Sequence, residues 1–172
     1  MAYALFINRN DIIKNSPLQG AIDADALLPF VKTAQTKYIK NLLGTILYDY
    51  LQAQIEANTV DGLTIWYKDL LDDYIKNALI WYACVEYIPF SSIQFKSNGA
   101  VKQNSETGIS PSKTDVDFLM QKAQENGDYY ALRLQNYLIA YCNHIPQYLQ
   151  SIGNQTQIYP DQTNQYFGGI QL

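Results

Sequence analysis

His144 is the only histidine in the chain. Nucleophilic catalysis by a Ser–His–Asp or Cys–His arrangement needs an imidazole as the base, so any such site must include this residue. His144 lies near the C-terminal end of a predicted helix, where a protonated imidazole interacts favourably with the helix dipole. We therefore expect a helix-end role for His144 and predict that the chain is not an enzyme.

Carboxylates and thiols form no pattern typical of a metal site. Such sites need clustered ligands, whereas Asp69, Asp72 and Asp73 have the spacing of one solvent-facing side of a helix. Cys84 and Cys142 lie in separate apolar stretches outside any Cys-x-x-Cys or Cys/His pattern. This favours buried free thiols, with a disulfide between them as the alternative. The sequence therefore predicts neither a metal site nor a cofactor.

Charge and hydropathy exclude two classes of partner. The net charge is −4 and the chain has no basic run, so we expect no nucleic-acid binding by phosphate neutralisation. The longest apolar run, Ala78–Val85, is far shorter than the ~20 residues of a membrane span. The short apolar N-terminus has no basic region before it, so we expect no signal peptide and a protein that stays in the cytoplasm of the cell that makes it.

Hydrophobic periodicity predicts a mainly α fold, a bundle of four main helices with one short helix. The short helix is expected around residues 11–14, with Asn8 or Asn10 as its N-cap. The third main helix is apolar all round between Ala78 and Val85, which is typical of a helix surrounded by others. The main helices are expected from Asp23 or Asp25 to residue 42 and at 45–55, 64–88 and 112–145. Pro146 is expected either to end the last helix or to begin a short extra turn to Leu149.

Several residues predict where these helices begin, end or weaken. Gly44 is expected to end the first main helix in a left-handed conformation, and Pro89 to stop the third. Ser112 with Asp115 forms a capping-box pattern at the start of the last helix. Asn126-Gly127 is expected to weaken the middle of that helix and to favour a kink there. Its predicted apolar face consists of Val116, Leu119, Met120, Ala123, Tyr130, Leu134, Tyr137, Leu138 and Tyr141.

Residues 91–104 switch to an alternating pattern that predicts a β-hairpin within a hairpin and long-loop insertion at 91–111. A two-residue Asn98-Gly99 loop would put Val101 opposite Lys96, on the wrong face. We therefore expect a three-residue loop that puts Val101 opposite Phe95, so that the apolar residues share one face. The residues expected to contact a neighbouring subunit or protein are Ile93, Phe95, Asn98, Gly99 and Val101.

The sequence divides into a helical domain at 1–153 and an extended C-terminal tail at 154–172. The tail is rich in Gln, Asn, Tyr and Gly and has no helical period. Tyr159, Tyr166 and Phe167 are apolar residues in this polar segment, and we expect them to anchor it to an adjacent protein. The alternative for both hairpin and tail is packing against their own domain.

Several short segments together resemble a known class of phage proteins. These segments are Leu5–Ile12, Ile22–Asp25, Ala34–Thr45, Leu47–Tyr48, Ala83–Phe90, Ser97–Gly99, Tyr159–Asp161 and Tyr166–Gly168. The chain resembles the small head–tail connector (adaptor, or head-completion ring) proteins of tailed phages, especially those from phages and prophages of gut Bacteroidetes. The corner formed by a helix, Leu43-Gly44-Thr45 and the next helix is the most specific of these features.

The resemblance implies a structural role in the virion. Connector subunits of this kind form a ring of about twelve copies under the portal protein, and closing a ring needs head-to-tail contacts between subunits. The implied partners are further copies of the chain, the portal and a tail-side connector protein. DNA would pass through the channel without sequence-specific binding, and the acidic balance of the chain agrees with such a channel.

A second hypothesis is a helical binding module, a phage or host regulator that acts as a monomer or dimer. The 15 tyrosines suit either a Tyr-rich core or a protein-binding surface. An exposed groove with several convergent aromatic residues would favour this second hypothesis. A hydrophobic patch that only a second copy can cover would favour the ring.

Overall fold

Helices make up most of the chain in this computed structural model, which confirms the mainly α class. The structure describes residues 4–16, 24–91, 93–96, 99–102, 112–153 and 160. The α-helices are α1 (Arg9–Asn15), α2 (Ala24–Ala34), α3 (Lys40–Leu43), α4 (Thr45–Glu56), α5 (Ile65–Asp69), α6 (Lys76–Ser91), α7 (Lys113–Ala140) and α8 (Pro146–Gly153).

Two π-helical segments join shorter helices into longer ones. Gln35–Ile39 connects α2 to α3, and Leu70–Ile75 connects α5 to α6. The second of these gives one helical rod from residue 65 to residue 91, which we call the α5–α6 rod. Single-turn π segments inside α-helices are uncommon and turn selected side chains out of the regular helical register.

The predicted helix starts are confirmed at two places. Asn8 caps α1 in a capping box with Asp11, and Ser112 caps α7 in a capping box with Asp115. In both boxes the cap side chain accepts from the third residue, whose carboxylate accepts from the cap backbone. Each box satisfies backbone N–H groups that have no partner within the helix.

One predicted helix end is wrong. Pro89 does not stop α6, which continues to Ser91, because a proline in the last turn removes only its own N–H from the helix ladder. The helix that contains Asn126-Gly127, α7, runs without interruption from Lys113 to Ala140. A Cβ at Gly127 would lie 2.8 Å from the ring of Tyr82, so this glycine lets α6 and α7 approach closely.

Gly44 forms the corner between α3 and α4. Its φ of 75° confirms the predicted positive value, while its ψ of 164° places it in a glycine-only extended region, not in the left-handed helical one. A Cβ at this position would lie 2.8 Å from Pro160 and 3.0 Å from Ser151. Pro160, which belongs to the predicted tail, is buried and lies against its own helices here.

The core lies around α6. The segment predicted to be surrounded, Ala78–Val85, is buried except for half-buried Trp81. Leucines of α4 and α7 join it in one apolar cluster, together with Ile145 and Tyr148. A second cluster joins Cys84, Val85 and Ile88 to the N-terminal half of α7. Cys84 and Cys142 are both free thiols.

The N-terminal segment is held to the core by buried amide side chains. Gln35, fully buried in the first π segment, accepts a hydrogen bond from the Phe6 N–H and donates to the Ala4 carbonyl, both at 2.9 Å. Gln52 also donates to the Ala4 carbonyl, at 2.9 Å. The two side chains satisfy this backbone much as a neighbouring strand would.

A short antiparallel ladder follows α6. Strand β1 (Ile93–Lys96) pairs with β2 (Gly99–Lys102), with Phe95 opposite Ala100 and Val101 opposite Gln94. The predicted three-residue-loop register, with Val101 opposite Phe95, is therefore wrong. The register differs from the prediction because Gly99 pairs with Lys96 inside the ladder and does not act as a turn residue.

Candidate interaction surfaces

The sequence-predicted contact residues fall into two groups. Ile93 and Phe95 lie in β1, and Gly99 and Val101 lie in β2, so four of them share one ladder directly after α6. The remaining predicted residues lie outside the described residues; they are Asn98, Tyr159, Tyr166 and Phe167.

The ladder marks one end of an antiparallel helix pair. Ile88 near the end of α6 shares an apolar cluster with Val116 and Met120 near the start of α7. At the other end Trp66 of α5 contacts the ring of Tyr141, which follows α7. The α5–α6 rod and α7 therefore run in opposite directions and lie side by side over most of their length.

Large apolar side chains remain exposed at both ends of this pair. We call Phe90, Phe118 and Leu119 the ladder end, and we call Ile65, Trp66, Ile139, Tyr141 and His144 the aromatic end. Along α7, Phe118 and Ile139 are 21 residues apart, which corresponds to about 30 Å at 1.5 Å per residue.

The aromatic end is built on Trp66. The imidazole of His144 stacks on the indole at 4.4 Å between centroids and 15° between planes, and Tyr141 contacts the same ring system at 4.7 Å. His144 lies in a single 3-10 turn directly after α7, as its predicted helix-end position requires. Ile65, next to Trp66 in the chain, and Ile139, two residues before Tyr141, are 60% and 52% exposed.

A run of ring contacts extends the aromatic end along the helix pair. Tyr141 contacts Tyr137 at 4.8 Å, and Tyr137 stacks on Tyr74 at 4.3 Å. The Tyr137 hydroxyl donates to the Trp66 carbonyl at 2.9 Å. Burial, together with the nearby carboxylate of Asp69, raises the pKa of Tyr137 to about 12. Such stiff side chains, apolar in the ring and polar at the tip, are typical anchors of protein interfaces.

The ladder end is apolar and differs in its chemistry. Phe118 and Leu119 are 57% and 53% exposed, and Phe90 is 49% exposed. Phe90 contacts Phe30 of α2, whose ring also meets Tyr87 edge-on; both centroid distances are 5.4 Å. This end therefore presents phenylalanine and leucine, where the other presents tryptophan, tyrosine and histidine.

A polar cleft of about 190 Å³ lies between the first π segment and the middle of α7. Tyr38 and Tyr82 stack in it at 4.1 Å with 4° between planes. Tyr82 and Gln124 both donate to one carboxylate oxygen of Asp128, at 2.8 and 2.7 Å. Burial, followed by the hydrogen bond to Asp128, raises the pKa of Tyr82.

A second carboxylate, that of Glu86 in α6, also accepts two hydrogen bonds. Lys37 and Tyr38 both donate to Glu86 at 2.8 Å. Burial alone would raise the pKa of Glu86, but the hydrogen bonds from Lys37 and Tyr38 outweigh burial and hold the pKa below its usual value. Glu86 and Asp128 each accept two hydrogen bonds, so these contacts tie α6 to the first π segment and to α7.

Within the described residues, no three His, Cys, Asp or Glu side chains are grouped as a metal site would need. Burial raises the pKa of the Cys84 thiol to about 12, so it is not a nucleophile at neutral pH. Among the described helices, none combines the length and apolar character that crossing a bilayer requires.

Sequence reasoning missed most of the two exposed ends. Leu119 and Tyr141 were predicted on the apolar face of the last helix, yet both are exposed. Val116, Met120 and Ala123 around Leu119 pack against α6, so α6 covers a narrower side of α7 than the predicted apolar face. Phe118 and Ile139 fall off the predicted stripe, and a large apolar residue off the stripe is the signal that indicates an exposed contact.

Comparison with protein families gives one match. A model described as a family of unknown function, DUF6712, matches residues 39–158, well over half of the chain. The chain belongs to the DUF6712 family. The matched segment of DUF6712 contains α4 to α8, and hence both exposed ends of the helix pair. Neither the curated proteins nor the solved structures gave a match.

Proposed function

We propose that this protein is a structural virion component, the subunit of a head–tail connector ring that joins the portal to the tail and continues the DNA channel. The proposal rests on the sequence resemblance to phage connector proteins and on the distribution of exposed apolar residues. In this role the protein is made in the cytoplasm of a bacterial host and ends up in the virion.

The observation that carries the proposal is the pair of unlike apolar ends. A ring closes only through heterologous contacts, in which each subunit offers two different surfaces to its two neighbours. The ladder end and the aromatic end lie about 30 Å apart along α7 and differ in composition. A subunit with this layout can contact one neighbour at each end.

The chemistry of the described residues supports a non-enzymatic role. The carboxylates of Asp128 and Glu86 each accept two hydrogen bonds. Burial raises the pKa of the Cys84 thiol. The net charge of −4 fits a channel through which DNA slides without being gripped.

The β ladder supplies a further contact in the proposed ring. As the protruding insertion of the bundle, it would carry Ile93, Phe95, Gly99 and Val101 to a neighbouring subunit, to the portal or to a tail-side protein. The same proposal keeps Asn98 as a contact residue of the insertion, and Tyr159, Tyr166 and Phe167 as residues that anchor the tail to the adjacent protein.

The run of rings from Tyr74 to Trp66 favours a second candidate function. A monomeric helical module could bind a phage or host protein through this aromatic surface alone. Such a module needs only one exposed surface, so the apolar residues of the ladder end would have no role in it. Substitution of Phe118 therefore separates the two candidates, because only the ring needs this residue.

The test is deletion of the gene in the phage or prophage that carries it. The ring proposal predicts that filled heads and free tails accumulate without joining, and that supplying the wild-type chain in trans restores plaques. The Phe118→Glu variant should fail to restore them, and the exposed-site control Ala53→Glu should succeed. Tailed virions that form without the chain would overturn the proposal.

A further inference from the structure

We infer that the polar cleft between the first π segment and α7 binds a guanidinium cation, with the carboxylate of Asp128 as its counter-ion. Such a head group belongs either to an arginine side chain of a partner protein or to a free guanidino compound. This binding does not depend on ring formation, because Asp128 lies near the middle of α7, between the two exposed ends of the helix pair.

The carboxylate of Asp128 has one oxygen in use and one available. Tyr82 and Gln124 both donate to its Oδ1, at 2.8 and 2.7 Å, and none of the described residues donates to its Oδ2. No buried side-chain oxygen of the described residues lacks a hydrogen-bond partner, so Oδ2 is accessible to solvent. The cleft therefore offers a carboxylate oxygen that is fixed in position and can accept from an incoming donor.

The charge of Asp128 is not neutralised by a basic side chain of the described residues. Lys37, which also lines the cleft, pairs with Glu86 at 2.8 Å, and Lys122 of α7 pairs with Glu125 at 2.7 Å. Because Lys37 and Glu86 offset each other, the negative charge of Asp128 remains. A half-buried anion attracts a cation more strongly than a fully exposed one, since water screens it less.

The amide side chains of the cleft also present acceptors. The Gln124 amide nitrogen donates to Asp128, and the Asn41 amide nitrogen donates to the Lys37 carbonyl at 2.8 Å. No donor among the described residues uses either amide oxygen. A cation with several N–H donors matches these two oxygens and the Asp128 carboxylate, and charge-assisted hydrogen bonds of this kind are the strong ones.

The walls of the cleft favour guanidinium over ammonium. The stacked rings of Tyr38 and Tyr82 line the cleft together with Leu42. A guanidinium is planar and more weakly hydrated than an ammonium, so it enters surroundings of aromatic rings at a smaller cost. The cleft volume of about 190 Å³ is about six times the volume of one water molecule, which is sufficient for this head group.

The probe is ethylguanidinium, titrated into the isotope-labelled full chain at constant ionic strength and followed by NMR. Saturable shifts should be confined to residues of the cleft, such as Asn41, Tyr82 and Asp128, with a dissociation constant of about 1–10 mM. Propylammonium, a cation of similar length, should bind at least about 5-fold more weakly.

Asp128→Asn keeps the size of the side chain and an acceptor for Tyr82 but removes the charge. It should weaken ethylguanidinium binding at least about 10-fold. The matched control is Asp117→Asn, which removes an exposed carboxylate from the same helix and should bind like the wild type. The NMR spectra of both variants check the fold.

A second variant tests the cleft without removing Asp128. Gln124→Arg places a guanidinium four residues before Asp128, within reach of its carboxylate on the same side of α7. The new side chain should fill the cleft from within, so that added ethylguanidinium no longer gives saturable shifts.

The blocked compound N-acetylarginine methylamide separates the two sources of the head group. If an arginine of a partner protein occupies the cleft, this compound should bind at least as tightly as ethylguanidinium, because its backbone remains outside. If the natural ligand is a free guanidino compound, ethylguanidinium should bind and the blocked compound should be excluded.

Four results would overturn the proposal. They are a wild-type chain without saturable shifts up to about 50 mM ethylguanidinium, an Asp128→Asn variant that binds as tightly as the wild type, a Gln124→Arg variant that still binds the probe, and equal binding of propylammonium and ethylguanidinium. The deletion test of the proposed function is unaffected by any of them.

Discussion

Gly44 is the residue whose conformation depends most on having no side chain. It combines a φ of 75° with close contacts to Pro160 and Ser151. Any L-residue at this position would be strained by its backbone and would collide with the proline ring. The Leu43-Gly44-Thr45 corner therefore requires glycine for two independent reasons, the backbone conformation and the close contact with Pro160.

Gly44→Ala should lower the free energy of unfolding by about 2–4 kcal/mol, from backbone strain and the lost Pro160 contact. Urea denaturation followed by circular dichroism measures this change. The matched control is Gly62→Ala, because a Cβ there meets nothing within 4 Å. The control should stay within about 0.5 kcal/mol of the wild type. Equal effects of the two substitutions would contradict this account of the corner.

Gly127→Ala has two opposing effects on stability, a gain in helix propensity and a loss from crowding against Tyr82. In an open helix the substitution stabilises by about 1 kcal/mol, but here the new methyl group would lie 2.8 Å from the buried Tyr82 ring. We expect a net loss of about 1–3 kcal/mol in thermal or urea unfolding. In a Tyr82→Ala background the same substitution should become neutral or stabilising, and a loss that persisted there would rule out the ring contact as its cause.

Residue-level features were predictable where a local rule is sufficient. The caps at Asn8 and Ser112 and the positive φ of Gly44 follow from side-chain chemistry within a few residues. The role of Gly127 was not predictable, because its reason is a ring from another helix. The sequence near Gly127 indicates only a weak helix propensity. The close packing of Gly127 against Tyr82 is a tertiary contact that local sequence does not reveal.

At the scale of elements, the N-terminal segment depends on one buried amide. Gln35 satisfies both the Phe6 N–H and the Ala4 carbonyl, whereas Gln52 bonds the Ala4 carbonyl but not the Phe6 N–H. Removing Gln35 leaves a buried backbone donor without its partner, which is costly.

Gln35→Leu should destabilise the protein by about 1–3 kcal/mol and should speed hydrogen exchange at the Phe6 amide. Hydrogen exchange measured by NMR tests this directly. Gln52→Leu serves as the comparison and should affect exchange at Phe6 much less. Equal exchange rates at Phe6 in both variants would show that Gln35 is not the group that holds the segment.

The contact between the first π segment and α6 should depend on pH. The folded-state pKa of Glu86 is lowered, so its stabilisation is present above the unfolded-state value and is lost as the pH falls through the folded-state value. Between about pH 5 and pH 3 the stability of the wild type should therefore fall more than that of Glu86→Gln. Solvent screening limits this difference to about 1 kcal/mol.

Lys37→Met tests the same ion pair from the other side. It removes the first donor to Glu86, so the fall in stability between about pH 5 and pH 3 should shrink toward that of Glu86→Gln. Urea unfolding across that range measures both variants. A pH dependence that Lys37→Met leaves unchanged would mean that Tyr38 alone holds the carboxylate.

The elements show where periodicity succeeds and where it fails. The central apolar segment of α6 was predictable because it is apolar on every side, whatever packs against it. The register of β1 and β2 was not, since the argument assumed that all apolar residues share one face. The observed pairing of Phe95 with Ala100 instead keeps Gly99 in the ladder.

At the scale of the whole molecule, the account rests on two unlike exposed ends of one antiparallel helix pair. The exposure of Leu119 and Tyr141 was not predictable, because periodicity placed both on the apolar face, whereas Phe118 and Ile139 lie off that face and were a sequence signal of exposure. The resemblance to connector proteins came from short segments, and the family match adds membership of DUF6712 without a function.

The most direct test of the ring is the mass of the protein in solution together with its portal protein. Light scattering across a concentration range, followed by negative-stain imaging, should reveal a closed ring of this chain seated on the portal. The Phe118→Glu variant should form none, and the Ala53→Glu control should form the ring. A chain that stays monomeric in the presence of the portal would contradict the proposed function.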